Sequence, residues 1–142
     1  MIEIIQARTA QQMTDIFEIR RKVFVIEQSV DPKEEYDEFE QSSTHFIAKF
    51  NGIAAGTCRY RSTDKGIKLE RFAVLKEFRG KGIGSELVKS CLEKISTSDL
   101  NGSVIYLHAQ THAESFYAQF GFVKQGELFV EAEIEHYKMV LS

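Results

Sequence analysis

The stretch Leu69–Gly84, which reads LERFAVLKEFRGKGIG, joins an apolar strand directly to a loop that contains three glycines. This loop begins at Arg79 and continues without a break into an amphipathic helix. Glycine lets the backbone approach an anionic ligand closely, and the first N–H groups of a helix have no partner within the helix. The stretch therefore predicts a site for a diphosphate, although a tight turn from strand to helix would use the same glycines.

The spacing of the glycines excludes two common phosphate-binding motifs. A P-loop ends in Gly-Lys-Ser or Gly-Lys-Thr, whereas Lys81 is followed by Gly82. The dinucleotide-binding pattern G-x-G-x-x-G would need its third glycine at Ser85 or at Leu87. The pattern that remains is Arg79-x-x-Gly82-x-Gly84.

This pattern resembles the Q/R-x-x-G-x-G/A acyl-CoA motif of the GNAT family of N-acetyltransferases. The later stretch AESFYAQFGF, residues 113–122, resembles the A-x-x-F-Y-x-x-x-G-F helix and strand of the same family. Two motifs in the family's order imply a single GNAT domain over residues 1–142. Its fold would be α/β (α+β), with a mixed, mostly antiparallel central sheet and helices on both faces. Acetyl-CoA would be the cosubstrate.

The resemblance also implies which residues bind acetyl-CoA. The strand before the loop would hold the pantetheine arm through its backbone at Phe72, Ala73 and Val74. A bulge in this strand would splay it from the strand at 104–109 and leave a donor near Ala73 or Val74 to polarise the thioester carbonyl. The pyrophosphate would lie on the loop formed by Arg79, Gly80, Lys81, Gly82, Ile83, Gly84 and Ser85.

Glu70 is the predicted general base. An alkylammonium must lose a proton before it attacks, and family members often carry a base at this position of the strand. Strand alternation places Glu70 on one face with Phe72 and Val74, and a carboxylate among apolar neighbours is expected to have a raised pKa. The alternative is a structural ion pair of Glu70 with Arg59, Arg61 or Arg71.

Tyr117 is the predicted general acid. It matches the tyrosine of the family's F-Y pair, which commonly protonates the sulfur of coenzyme A as it leaves. A phenol has a basicity similar to that of a thiolate, so the residue type suits this role. The alternative is a core tyrosine that packs with Phe116 and Phe120.

The acceptor side is predicted from the first helix and from one histidine. Arg20–Gln28 resembles a segment that contributes to the acceptor side of the cleft in small bacterial GNAT proteins, which makes Phe24 and Glu27 candidate acceptor-binding residues. An exposed Glu27 at the helix end is the alternative. His108 is expected to line the same pocket, unless it is a structural histidine. Residues 31–40 hold six acidic residues against one lysine, which indicates either a solvated face or an acidic lid for a cationic acceptor.

Local signals predict the order of the elements. Thr9 and Gln12 form a capping box that begins the first helix, and Asn51-Gly52 between two strands predicts a type I′ hairpin. The third strand of this antiparallel meander runs into the glycine loop. The complete prediction is βαα-βββ-α-β-α-ββ, with a helix from Thr111 or His112 through Phe120 and two strands after it.

Composition limits the partners and the location. A net charge of -3 does not suit binding to a nucleic-acid backbone, and no apolar stretch is long enough to span a membrane. We therefore expect a soluble, cytoplasmic enzyme with neither partner. Cys58 and Cys91 are too few for a disulfide framework and are expected in the core. His108 and His112 cross from a strand into a helix start, so no metal site is predicted.

The predicted function is N-acetyl transfer to a primary amine of a small metabolite, such as an amino acid, amino sugar or polyamine. The amine would attack the thioester directly in a ternary complex, because no cysteine or serine is placed to carry the acetyl group. Two alternatives are acetylation of protein lysines or N-termini, and an acyl-CoA-binding module without catalysis. Residue types leave the oligomeric state open, with a homodimer as one option.

Overall fold

One eight-stranded sheet organises the chain, and a computed structural model describes it over residues 1–142. Its spatial order is β1-β2-β3-β4-β5-β8-β6, and β7 pairs with β8. The pairing of β4 with β5 is parallel and every other pairing is antiparallel, which confirms the predicted mixed sheet. The strands are β1 (Ile2–Gln6), β2 (Thr44–Phe50), β3 (Ile53–Thr63), β4 (Gly66–Val74), β5 (Ile105–Gln110), β6 (Phe122–Lys124), β7 (Phe129–Glu131) and β8 (Ile134–Leu141).

Helices cover both faces of the sheet, as predicted. A cluster of buried side chains under α3 is separate from a smaller cluster under α1, which contains Ile19, Val23 and Ala73. Both helices pack against β3 and β4. Because the clusters beneath them are separate, the two helices lie on opposite faces of the sheet. The helices are α1 (Ala10–Arg20), a π-helical segment (Arg21–Glu27), α2 (Pro32–Glu35), α3 (Ile83–Ser96) and α4 (Glu114–Ala118), with 3₁₀ turns at Lys76–Phe78 and Thr111–Ala113.

The local signals at two chain reversals are confirmed. The Thr9 hydroxyl accepts from the amide of Gln12 at 3.1 Å, and the Gln12 side chain accepts from the amide of Thr9 at 3.0 Å. Asn51 and Gly52 both have positive φ, +50° and +84°, which is the conformation of a type I′ turn. The capping box is made by neighbouring residues alone, whereas Asn51 of the turn also hydrogen-bonds to Met1.

The C-terminal third differs from the prediction. Three strands follow α4, whereas the sequence predicted two. The strand that was not predicted is β7, because its three residues are too few for alternation to be recognised. The predicted helix through Phe120 is divided into a 3₁₀ turn and the five-residue α4. No helix of this protein has the length and apolar character needed to cross a membrane.

Candidate active site

A β-bulge interrupts β4 where the site begins. Thr57 and Arg59 on β3 are two positions apart, but their partners on β4, Ala73 and Glu70, are three positions apart. The extra residue on β4 is accommodated near Arg71, which has φ +59°, a left-handed conformation that a non-glycine residue rarely adopts. The bulge that the family resemblance implies is therefore confirmed.

The strands β4 and β5 separate at the same level. They pair only from Ile67 with Ile105 to Leu69 with Leu107, and no pairing follows. The amide of Leu75 donates to Ala55 on the β3 side at 2.9 Å, so by strand alternation Val74 directs its backbone groups to the opposite side. A wedge-shaped gap thus opens along the last residues of β4, and on this edge the amide of Val74 is free to donate to a ligand, whereas its carbonyl accepts from Arg79.

The glycine loop presents a row of free amides beside this gap. Gly80 and Gly82 have left-handed φ values of +79° and +88°, which glycine adopts without strain. No side chain caps α3, and the amides of residues 80–85 donate to no other group of the protein. Six consecutive free N–H groups at a helix N-terminus fit a pyrophosphate. Space at Gly84 is also tight, because a Cβ there would lie 3.3 Å from Cζ of Phe116.

A cavity of about 300 Å³ lies between β4, the loop and α4. The three β4 residues predicted to bind the pantetheine arm, Phe72, Ala73 and Val74, all line it. Arg79 and Gly84 line it from the loop and the start of α3. The structure therefore brings both parts of the predicted cofactor site to one place.

The side chain of Arg79 does not extend over the loop. Its Nε donates to the carbonyl of Val74 at 2.9 Å, and its two terminal nitrogens donate to the carboxylate of Glu27, each at 2.7 Å. The hydrogen bond from Arg79 lowers the pKa of Glu27. Arg79 therefore connects the loop to the π-helical segment. Glu27, which the sequence predicted to contact the acceptor, pairs with Arg79 of the loop instead.

A second cavity, of about 460 Å³, adjoins the first. Phe72 and His112 line both cavities, so the two form one cleft. The predicted acceptor-side residues Phe24 and His108 line the larger cavity, as do Glu70 and Tyr117, whereas Glu27 does not. The β7–β8 hairpin closes the far side with Glu131 and His136.

Glu70 is ion-paired instead of lying among apolar groups. Its Oε2 accepts from Nε of Arg59 at 2.7 Å and from Nε of Arg61 at 2.9 Å, and Lys68 Nζ lies 3.3 Å from Oε1. Burial alone would raise the pKa of Glu70, but the charges of Arg59, Lys68 and Arg71 outweigh it and the net pKa is lowered. The raised pKa expected from the sequence is wrong, because strand alternation does not show which long cationic side chains reach the same face.

The acidic segment at 31–40 is partly a solvated face, because three of its six acidic residues are exposed, and the other three pair with arginines. Glu35 accepts from Arg20 at 2.9 Å, and Asp37 and Glu40 each accept from Arg59 at 2.7 Å. Both arginines are fully buried, so these carboxylates supply the charge that makes their burial tolerable. The ion-paired half of the segment is therefore neutralised and holds the wall of the cavity in place.

Tyr117 lies in α4 with its ring against the open end of β4. Its ring packs edge to face with Phe72, with centroids 5.7 Å apart, and also against Phe116. Burial raises the pKa of Tyr117, the nearby Cys58 and Cys91 add to the rise, and no hydrogen bond to the hydroxyl offsets it. The phenol is therefore protonated at neutral pH and lines the cleft beside the wedge.

His108 pairs with a carboxylate that is distant in sequence. Its Nδ1 lies 3.3 Å from Oε2 of Glu131, and this hydrogen bond lowers the pKa of Glu131 to about 2. The Phe129 ring packs edge to face on the imidazole, with centroids 4.9 Å apart. No local signal pointed to Glu131, because the pair joins β5 to a hairpin 23 residues later.

A wedge beside a bulged strand, next to a helix N-terminus with free amides, defines a binding site for an acyl thioester of coenzyme A. Comparison with known proteins agrees. The acetyltransferase (GNAT) domain model matches residues 6–142, so the chain belongs to the GNAT family. It is 38% identical over 135 residues to YjcF of Bacillus subtilis, an uncharacterized N-acetyltransferase, with 94% of this chain and 95% of YjcF covered.

Solved structures share the fold over nearly the whole chain. The crystal structure of ElaA from Escherichia coli has a TM-score of 0.88 at 25% identity, with 100% of both chains covered. A GNAT acetyltransferase from Elizabethkingia anophelis, solved with acetyl-CoA bound, has a TM-score of 0.71 at 19% identity and covers 98% of this chain and 94% of its own. The protein is an acyltransferase of the GNAT family, and acetyl-CoA is its cosubstrate.

Proposed function

We propose that this acetyltransferase transfers the acetyl group of acetyl-CoA to a primary amine of a small metabolite, such as an amino acid, amino sugar or polyamine. The observation that carries the proposal is the second cavity, which adjoins the cofactor gap at Phe72 and His112. Its volume of about 460 Å³ lies in the range of small-molecule sites. An acceptor in this cavity would meet the thioester where the wedge opens.

Direct attack of the amine in a ternary complex is supported by the positions of the two cysteines. Cys58 and Cys91 are fully buried, their sulfurs lie 3.4 Å apart in the core, and neither lines the cleft. Burial raises the pKa of the Cys58 thiol far above its usual range. A thiol in this state is a poor nucleophile, so an acetyl-cysteine intermediate has no support.

The reaction moves two protons from the acceptor. The ammonium loses one proton to become a nucleophile and a second as the amide forms, while the departing thiolate gains one. We assign Tyr117 to protonate the sulfur, because it is protonated at neutral pH, lines the acceptor cavity and packs on Phe72, which lines both cavities. It recovers its proton from the nitrogen of the tetrahedral intermediate, so it is unchanged after each turnover.

Glu70 takes part in the proposed reaction as an ionised carboxylate and does not act as the direct general base that the sequence predicted. Three cationic side chains hold it ionised, so a proton is unstable on its carboxylate. We assign it to attract the ammonium form of the acceptor and to transfer its proton through water. A backbone donor on the free edge of β4 near Ala73 or Val74 polarises the thioester carbonyl.

A panel of acceptors tests the proposal. Spermidine, glucosamine and free amino acids are each incubated with acetyl-CoA, and released thiol is measured against peptides with a free N-terminus or an internal lysine. We expect at least one small amine to have a kcat/KM at least tenfold above every peptide. Turnover of peptides alone would replace this proposal with protein acetylation, and binding of acetyl-CoA without turnover of any acceptor would indicate a non-catalytic module.

A further inference from the structure

The end of the β4–β5 pairing places Glu70 and His108 at equivalent positions. The last paired residues are Leu69 and Leu107, so Glu70 and His108 are the next residues on their strands, at the apex of the wedge. Residues in register on parallel strands direct their side chains to the same face. Both side chains line the acceptor cavity.

A hydrogen bond fixes the tautomer of His108. Its Nδ1 contacts Oε2 of Glu131, and an ionised carboxylate only accepts hydrogen bonds. The neutral imidazole therefore carries its proton on Nδ1, and Nε2 keeps its lone pair. Nδ1 is the only ring nitrogen of His108 with a hydrogen-bond partner in the protein. A carboxylate behind an imidazole both orients the ring and stabilises the imidazolium once it forms.

Glu70 cannot hold the proton of the amine, because protonation would break its contacts with Arg59 and Arg61. Histidine is the side chain whose ordinary pKa lies nearest to neutral pH. Most charged or titratable groups near His108 already have partners, and Glu131 supplies the charge that offsets an imidazolium. The groups that surround His108 are Glu131 on β7, Lys68 and Glu70 on β4, Tyr106 on β5, and His136 and Lys138 on β8.

We propose that His108, held by Glu131, accepts the proton that the acceptor amine loses and then releases this proton to solvent. This inference depends on the proposed function. One N–H bond of the ammonium breaks and an Nε2–H bond forms, with a water that hydrogen-bonds to the ionised Glu70 as the relay. The neutral amine then attacks the acetyl carbon, the C–S bond breaks, and the sulfur receives its proton through Tyr117. The imidazolium finally releases its proton to solvent.

The variant His108→Gln tests the proposal in a pH profile of kcat/KM, measured with acetyl-CoA and the best amine of the panel. The wild-type profile is expected to have an acidic limb, along which kcat/KM falls because the base becomes protonated before it meets the amine. In His108→Gln we expect kcat/KM at pH 8 to fall about 100-fold and this acidic limb to disappear. Binding of coenzyme A, measured by calorimetry, should be unchanged, which shows that the variant is folded.

The variant Glu131→Gln separates proton transfer from a structural role. Loss of the carboxylate should move the acidic limb to lower pH, because the imidazolium loses its partner. Glu133→Gln, an exposed carboxylate on the same hairpin, is the matched control and should leave the limb in place. Nitrogen chemical shifts of the imidazole provide a readout that needs no activity, and we expect the proton on Nδ1.

Three results would overturn the inference. The first is a folded His108→Gln with the wild-type pH profile, the second is an unmoved limb in Glu131→Gln, and the third is a neutral imidazole with its proton on Nε2. If His108→Gln does not bind coenzyme A, the second and third measurements decide. Failure of the proposed function looks different, because the wild-type protein would then acetylate no small amine at all.

Discussion

The donor side and the acceptor side of the cleft are built from different parts of the chain. On the donor side, uncapped amides at 80–85 and the free edge of β4 lie within a few residues of one another and require little of any side chain. On the acceptor side, side chains from five elements are held by ion pairs such as Arg59–Asp37, whose members are 22 residues apart. A single motif therefore determines the site that is made of backbone groups, whereas the whole fold is needed to assemble the site that is made of side chains.

The largest effect is expected on the acceptor side, in the variant Arg59→Ala. Arg59 is fully buried and binds Asp37, Glu40 and Glu70, so its removal leaves a cavity and takes from each of the three carboxylates one of its cationic partners. We expect the free energy of unfolding to fall by about 3–5 kcal/mol, measured by urea denaturation. Arg21→Ala, which removes an exposed ion pair with Glu18, is the control and should be unchanged within error. Equal losses in both would mean that the buried network does not stabilise the wall.

Tyr117→Phe tests the point where the two sides meet. Removal of the hydroxyl takes away the proposed proton donor to sulfur but leaves the packing on Phe72 intact. We expect kcat to fall about 100-fold with unchanged affinity for coenzyme A, measured by thiol release and calorimetry. Tyr137→Phe removes a hydroxyl from a tyrosine outside the cleft and should retain full turnover. Full turnover in Tyr117→Phe would remove its assignment as the acid.

Asp37 makes the acceptor wall sensitive to acid. Burial opposes its ionisation, but hydrogen bonds from Arg59 dominate and lower its pKa from 3.8 to about 2. Such a group stabilises the fold fully above its unfolded pKa, and this contribution of about 2 kcal/mol is lost as the pH falls from about 4 through 2. Asp37→Asn should therefore lower stability at pH 7 and flatten the loss of stability between pH 4 and 2. An equally steep loss in the variant would contradict this account.

The smallest effect is expected on the donor side, in Gly82→Ala. The left-handed φ of +88° is strained for alanine by about 1–2 kcal/mol, so the loop should relax and lose its alignment of amides. We expect the affinity for coenzyme A to fall about tenfold in calorimetry. Gly102→Ala is a matched control, because Gly102 has φ +90° with open space around it and lies outside the cleft. The same loss of affinity in both variants would mean that the effect is not local to the loop.

The sequence predicted features that depend on neighbouring residues. The capping box at Thr9, the hairpin at Asn51-Gly52 and the glycine loop were all identified, because each is a local conformational requirement. The bulge and the wedge came only from the family resemblance, since Arg71 carries no mark of its left-handed conformation. The order of the central elements followed from these signals.

The acceptor side was predicted less well. Burial of Arg20 and Arg59 could not be anticipated, because an arginine appears exposed in sequence until its carboxylate partners are known. The same reason explains the wrong pKa for Glu70 and the missed partner of His108. Glu27 was predicted to contact the acceptor but does not line the acceptor cavity, and its pairing with Arg79 joins residues 52 positions apart, which no spacing rule reaches.

The central claim is that the free amides after β4 hold the pyrophosphate of acetyl-CoA. Titration of ¹⁵N-labelled protein with coenzyme A, followed by amide NMR shifts, tests it most directly. The account predicts that the largest shifts fall on the amides of residues 80–85, with saturation at one equivalent. Saturable binding that leaves these amides unshifted, or no binding by folded protein, would contradict it.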